Sequence, residues 1–284
     1  MLGHEVTRPD AQRILLDYGM EGFRELLRAV EDLTLDAVCR VRIPATIERF
    51  DPELASAVLL EWLTRERDGA VRFQIGRALE RLVSRVPTLL LDRVLLDKTI
   101  ALTVSRAYRY LDRRLTLVRG AEATPSLATP GHQVLVALLR DKEVNGIERL
   151  FGLINLALRG DDFTEIYRGL ASVRKEARAT SLELIENLLK EPLRAAVLGL
   201  VDDIPDDNRL SAAGTFHAPL GLDYEGLLQH MLASTSESVQ DLTVFHISEL
   251  RLTGFRAAIE KLPNGAQRSD VVRALQLLEQ REAS

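Results

Sequence analysis

Apolar residues recur three and four positions apart along most of the chain, the spacing of a helix with one buried face. The stretch "DGAVRFQIGRALERLV" puts Val71, Ile75, Leu79 and Leu82 on such a face, with Asp68 just ahead of it. An Asp there can accept from free N–H groups and meets the positive end of the helix dipole. Earlier, "DAVCRVRIPATIERF" writes nearly the same phrase: Asp36 falls on Asp68, Cys39 on Val71, Arg40 on Arg72, Ile43 on Ile75, Ile47 on Leu79 and Phe50 on Leu82. Looser copies follow at Ala177, Arg178, Ser181, Ile185 and Leu188, and at Val239, Gln240, Thr243, Ile247 and Leu250. Between the first two copies, Asp51 and Pro52 open another helix with a face of Leu54, Val58, Leu59 and Trp62. The unit is helix, turn, helix, about thirty residues long, and it must stack on neighbours to hide its apolar face. Arg40 and Arg72 should stand at equivalent points of adjacent layers, near Asp36 or Asp68.

The rest of the chain reads as more helices. Residues 8–30 give short helices broken at Gly19, a cap on the first layer (1–33). After Pro87 a long helix carries a narrow seam of Ala101, Val104, Tyr108, Leu111, Leu115 and Val118. "GAEATPSLATPGH" reads as an exposed loop, and a second long helix follows with Val134, Leu135, Leu138, Leu139, Ile147, Leu150, Phe151, Ile154 and Leu158 on its face. Residues 88–159 are therefore expected as an antiparallel pair. The segment 202–222 reads as a long irregular insertion, and Pro263-Asn264-Gly265 as a break between closing helices. The expected fold is all-α: a single α-solenoid of helical hairpins over 1–284, with the best-formed repeats at 34–86, an extended central helix pair, and C-terminal repeats over 160–284.

Composition narrows the function classes. A net charge of −5 and a pI near 5.7 oppose broad binding to nucleic acid or anionic lipid. The lone Cys39 excludes an internal disulfide and fits a reducing, cytoplasmic setting. Its place in the phrase is that of Val71, so it reads as a small buried hydrophobe rather than a nucleophile. No apolar run approaches the ~18 residues of a membrane span. His4, His132, His217, His230 and His246 lack metal-ligand spacing, and no phosphate-cradling glycine motif occurs. Asp161-Asp162, Asp202-Asp203 and Asp206-Asp207 read as caps. No metal, no cofactor and no catalysis are expected.

The residues Asp36, Arg40, Pro52, Asp68, Val71, Arg72, Ala78 and Leu79 resemble a HEAT-like repeat over 34–83. The order "RIPATIERF", "DGAVRFQIGRALERL", "YRYLDRR" and "IERLFGLINLAL" then "IYRGLAS" is similar to the soluble HEAT-like segment of some bacterial ATP/ADP translocase-like transporters, sometimes found beside cyclic-nucleotide-binding modules. That resemblance implies a regulatory or coupling module whose partner is a protein or a neighbouring domain of the same polypeptide. The transporter's membrane helices are not in the sequence, so no transport residue carries over.

One constellation could carry chemistry. Lys98, Arg106, Arg109 and Arg113 project from one side of the first long helix by the ~100° step. Such a stripe could hold a phosphate, a nucleotide or an acidic surface. The preferred reading is a structural face neutralised by Asp112, Glu143 or Glu148. A HEAT-like DNA glycosylase is a further alternative, opposed by the acidic charge, the 5% aromatic content and a core position for Trp62.

Overall fold

The computed structural model describes residues 6–32, 34–35, 37–159, 162–262, 271–273 and 276. These residues form α-helices and short 3-10 turns, with no strand among them. Contacts divide the chain into two compact units, 1–104 with 148–188, and 105–147 with 189–284.

The first unit holds α1 (Arg8–Asp17), α2 (Met20–Glu31), α3 (Ala37–Arg40), α4 (Ile43–Ile47), α5 (Pro52–Arg65) and α6 (Gly69–Arg85). It also takes the start of α7 (Arg93–Ala123), the end of α8 (Pro130–Ala157), α9 (Phe163–Leu170) and α10 (Lys175–Leu188). Its Asp residues cap as the sequence suggests: Asp51 accepts from the Glu53 and Leu54 N–H groups, Asp68 from Val71, and Asp162 from Thr164 and Glu165. Where α2 crosses α1 the helices touch at Gly22, whose missing Cβ would lie 1.9 Å from the Leu15 carbonyl oxygen.

The phrase at 36–50 does not form the helix that its twin at 68–83 forms. Pro44 has no N–H to give the Arg40 carbonyl, and its ring crowds that turn. The chain breaks at Val41-Arg42, and α3 and α4 replace one continuous helix. Ile43 and Ile47 are still buried, as Ile75 and Leu79 are, but Cys39 is only half-buried where Val71 is fully buried. The expectation of a buried thiol is thus corrected. Asp36 lies outside the described residues, as do Asp161 and the break at Pro263-Asn264-Gly265.

The second unit comprises the end of α7, the start of α8, α11 (Leu193–Val201), α12 (Asp206–Ser211), α13 (Tyr224–Leu232), α14 (Glu237–Leu250) and α15 (Arg256–Glu260). Its seam residues Tyr108, Leu111 and Leu115 are buried with Leu135 and Leu139, and in the first unit Val104, Leu150, Phe151 and Ile154 are buried as well. Val134 is exposed, one position off the face that Leu135 occupies. Within the second unit Arg114 pairs with Glu143, and Leu117 shares a core with Leu135 and Leu139, so the end of α7 and the start of α8 run antiparallel there.

Two expected loops are shorter than the Pro and Gly content implies. The helix of α7 runs on through Ala123, and only 124–129 separate it from α8. Residues 202–222 contain α12 and a 3-10 turn at 214–216, because Pro205 and two acids in the first turn start a helix there.

The looser copies of the phrase reveal what its polar position does. Three hairpins, α5–α6, α9–α10 and α13–α14, pair a helix with its successor. In the first, the Arg72 guanidinium donates to the carbonyls of Glu66 and Arg67, just past the end of α5. In the second, Arg178 donates to the carbonyl of Leu170, the last residue of α9. In the third, the Gln240 amide donates to the carbonyl of Leu232, the last residue of α13. The same place in the second helix closes the end of the first each time. Replacing the buried Arg72 by Ala should therefore cost about 1–3 kcal/mol in urea unfolding, because it leaves two carbonyls short of a donor. Arg65→Ala, which removes an exposed ion pair with Glu61, should leave stability almost unchanged. Equal midpoints for the two variants would show that the clamp carries no weight.

Candidate functional site

In the first unit the buried polar centre is Glu66, 4% exposed. Its Oε2 accepts from Arg40 at 2.5 Å and from the Trp62 indole at 2.9 Å. Its Oε1 accepts from the Arg67 and Asp68 N–H groups at 2.8 Å each. A buried carboxylate is tolerated only when its lone pairs are filled this way. Arg40 and Arg72 do converge, on Glu66 and not on Asp68; Asp36 lies outside the described residues. The Asp68 carboxylate is taken by the Val71 N–H, and the spacing of the phrase hides Glu66 because it lies in the turn between helices.

The four residues of the basic stripe differ in exposure and in partners. Lys98 is exposed and belongs to the first unit. Arg106 is half-buried and interacts with its surroundings. Arg109 is exposed and, among the described residues, makes no ion pair. Arg113 is buried, 6% exposed, and its Nη2 lies 3.0 Å from His230 Nε2 on α13. Two of the acids expected to neutralise it are engaged elsewhere. Glu143 binds Arg114 and Arg209. Asp112 Oδ2 accepts from His217 Nε2 and from the Leu220 N–H, both at 2.8 Å. Burial raises the Asp112 carboxyl, but the His217 and Leu220 bonds and the charges of His217 and Arg119 outweigh it, so it sits below the ordinary carboxylate range.

A third cluster ties the N-terminus of α8 to α13 and α14. Thr129 Oγ1 donates to Glu249 Oε2 at 2.5 Å, and the same carboxylate oxygen takes the Gly131 N–H. Having given its proton away, Thr129 must accept from His246 Nδ1 at 2.9 Å. His246 Nε2 is then an acceptor and receives the Tyr224 hydroxyl at 2.6 Å. Tyr224 in turn accepts from His132 Nδ1 at 3.0 Å. Every contact is satisfied by two neutral imidazoles. Accordingly, burial lowers the pKa of His132, and burial together with the charge of His132 lowers that of His246 against the opposing effect of Glu249. Burial raises that of Tyr224.

Among the described residues no group of His, Cys, Asp and Glu is placed to hold a metal ion, and no helix is long and apolar enough to cross a membrane. Comparison of the chain with family models, curated proteins and solved structures finds no match. The partners missed from sequence, His217, His230 and the Tyr224 relay, meet residues as many as 120 positions away, beyond the reach of any local spacing.

The relay sets a pH dependence. His132, His230 and His246 all bind protons less readily in the fold than freely, His230 through burial and then the charges of Arg113 and Arg109. Their neutral forms support stability fully above the ordinary histidine value of about 6.5, and that support is lost as pH falls from there toward the depressed folded values. The melting temperature should drop between about pH 7.5 and 5.5. The double variant His132→Gln, His246→Gln should melt lower at the upper pH yet show a shallower slope. An unchanged slope would place the proton uptake elsewhere.

Proposed function

We propose that the chain is a non-catalytic scaffold of HEAT-like hairpins that binds a protein partner, or a neighbouring domain of its own polypeptide, on the face of α1 and α2. The observation that supports this reading is the outer surface of α1. A helix face that meets only solvent is ordinarily polar. Here α1 buries only Ala11, while Ile14 and Tyr18 are 44% and 65% exposed and Met20, opening α2, is 51% exposed. An open groove of about 600 Å³ runs along this face, lined by Ile14, Leu15 and Tyr18 with Glu21, Gly22 and Arg24 among its other residues. An apolar strip flanked by charges of both signs suits an amphipathic helix laid along it. In a transporter-like protein that helix would belong to an adjoining domain, and the module would be regulatory.

A photo-crosslinking residue placed at Tyr18 in the producing cell tests this. The expected result is a discrete covalent adduct that is missing when the same residue is placed at Val173, which is 99% exposed. An adduct of twice the 31.7 kDa chain mass would make the partner a second copy. Identical labelling at both positions, or none at Tyr18, would remove α1 as the binding face.

A further inference from the structure

We propose that Arg109 and Arg113, beside His230 in the second unit, bind a phosphate-type oxyanion. The argument starts from Arg113. Its guanidinium is withdrawn from water, and no carboxylate stands within ion-pair distance among the described residues. Its one hydrogen bond goes to a neutral imidazole nitrogen, and no described residue accepts from its buried Nε. Among the described residues the other guanidiniums turned inward have their charge or most of their donors met, although the Arg40 Nε is also without an acceptor. Arg40 holds Glu66, Arg72 holds two carbonyls, and Arg114 and Arg209 share Glu143. A buried cation without an anion is costly, and an anion from solution would correct the imbalance.

The neighbours of Arg113 are suited to receive one. Arg109 stands one turn earlier on α7, so its side chain shares that face and adds a second, exposed guanidinium. Its charge already weighs on Arg113 and on His230. Because His230 accepts through Nε2, its proton sits on Nδ1, on the side of the ring turned away from Arg113. Two guanidiniums one turn apart on α7, one of them with an Nε that no described residue takes, offer several charged donors. That set fits a compact oxyanion with several oxygens better than a single carboxylate. Asp112 is the opposing charge felt by both Arg113 and His230, and its Oδ2 is already held by His217 and Leu220. Tyr110 is the remaining titratable group near Arg113.

The oxyanion could be free phosphate or the phosphate of a nucleotide, and calorimetry separates the two. The full chain is titrated at neutral pH and low salt with inorganic phosphate, then with ADP, with chloride as the blank. Saturable binding of phosphate, weakened at least about tenfold by Arg109→Glu, is the expected result, tenfold being the scale of one charge-assisted hydrogen bond. The His230 imidazole resonances should move during the same titration and stay still in Arg109→Glu. ADP that binds more tightly and competes with phosphate assigns the site to nucleotides, and ADP no tighter than phosphate assigns it to the free ion. Arg113→Met should abolish binding, but the exposed Arg109 keeps the test valid if that variant fails to fold. No saturable heat with either ligand, or an affinity unchanged by Arg109→Glu, overturns the proposal. The groove on α1 and α2 lies in the other unit, so this outcome and that of the Tyr18 crosslink are read separately.

Discussion

The last carbonyls of a helix have no donor within it, and a tight hairpin presses them against the helix that follows. In this protein that constraint is met by a long donor side chain near the start of the second helix: Arg72, Arg178 or Gln240. Once that bond is made, the second helix has one permitted rotation about its axis. The residues a turn further on must then face inward. Ile75, Ser181 and Thr243 are all buried, and so are Leu79, Ile185 and Ile247. The polar and apolar parts of the repeated phrase are therefore one device. The donor needs reach and an N–H, not a charge, which is why Gln240 serves as well as an arginine. Around α5 and α6 the device is reinforced, since the residue whose carbonyl Arg72 holds is Glu66, whose carboxylate gathers Arg40, Trp62 and the turn itself.

How much of this could be seen in the sequence depends on the range of the force involved. Periodicity reports which side of a helix is apolar, and Val104, Tyr108, Leu111 and Leu115 are where it put them. It is blind to a single backbone hydrogen bond, so the copy that matched best by residue type, 36–50, is the one that Pro44 divides. The loosest copies match best in geometry. Loop signals failed for a related reason. Gly120 reads as a helix end, yet α7 continues past it, and a Cβ there would lie 2.2 Å from the Tyr224 ring. A small residue there reflects a neighbour from α13, and nothing adjacent in sequence announces it.

Charge shows the same limit more sharply. A helical wheel can place Arg106, Arg109 and Arg113 on one side of α7, but it cannot say which helix arrives against that side. The arriving residue at Arg113 is an imidazole, and the carboxylate beside it in sequence, Asp112, turns to His217 instead. An acidic chain thus contains a buried cation whose balance is settled locally. Net charge describes how the molecule behaves at a distance beyond the screening length, and says little about a guanidinium enclosed by helices.

The proton order from His132 through Tyr224, His246 and Thr129 to Glu249 runs in one direction only. Each interior member gives to one neighbour and takes from the other. Replacing His246 by a side chain that only donates would strand the Tyr224 hydroxyl, and one that only accepts would set a second lone pair against the Thr129 oxygen. No interior position can drift alone without leaving a buried group unanswered. Across generations such residues change together or not at all, so the five should be inherited as a single character, co-varying among descendants even where the helices that carry them have diverged.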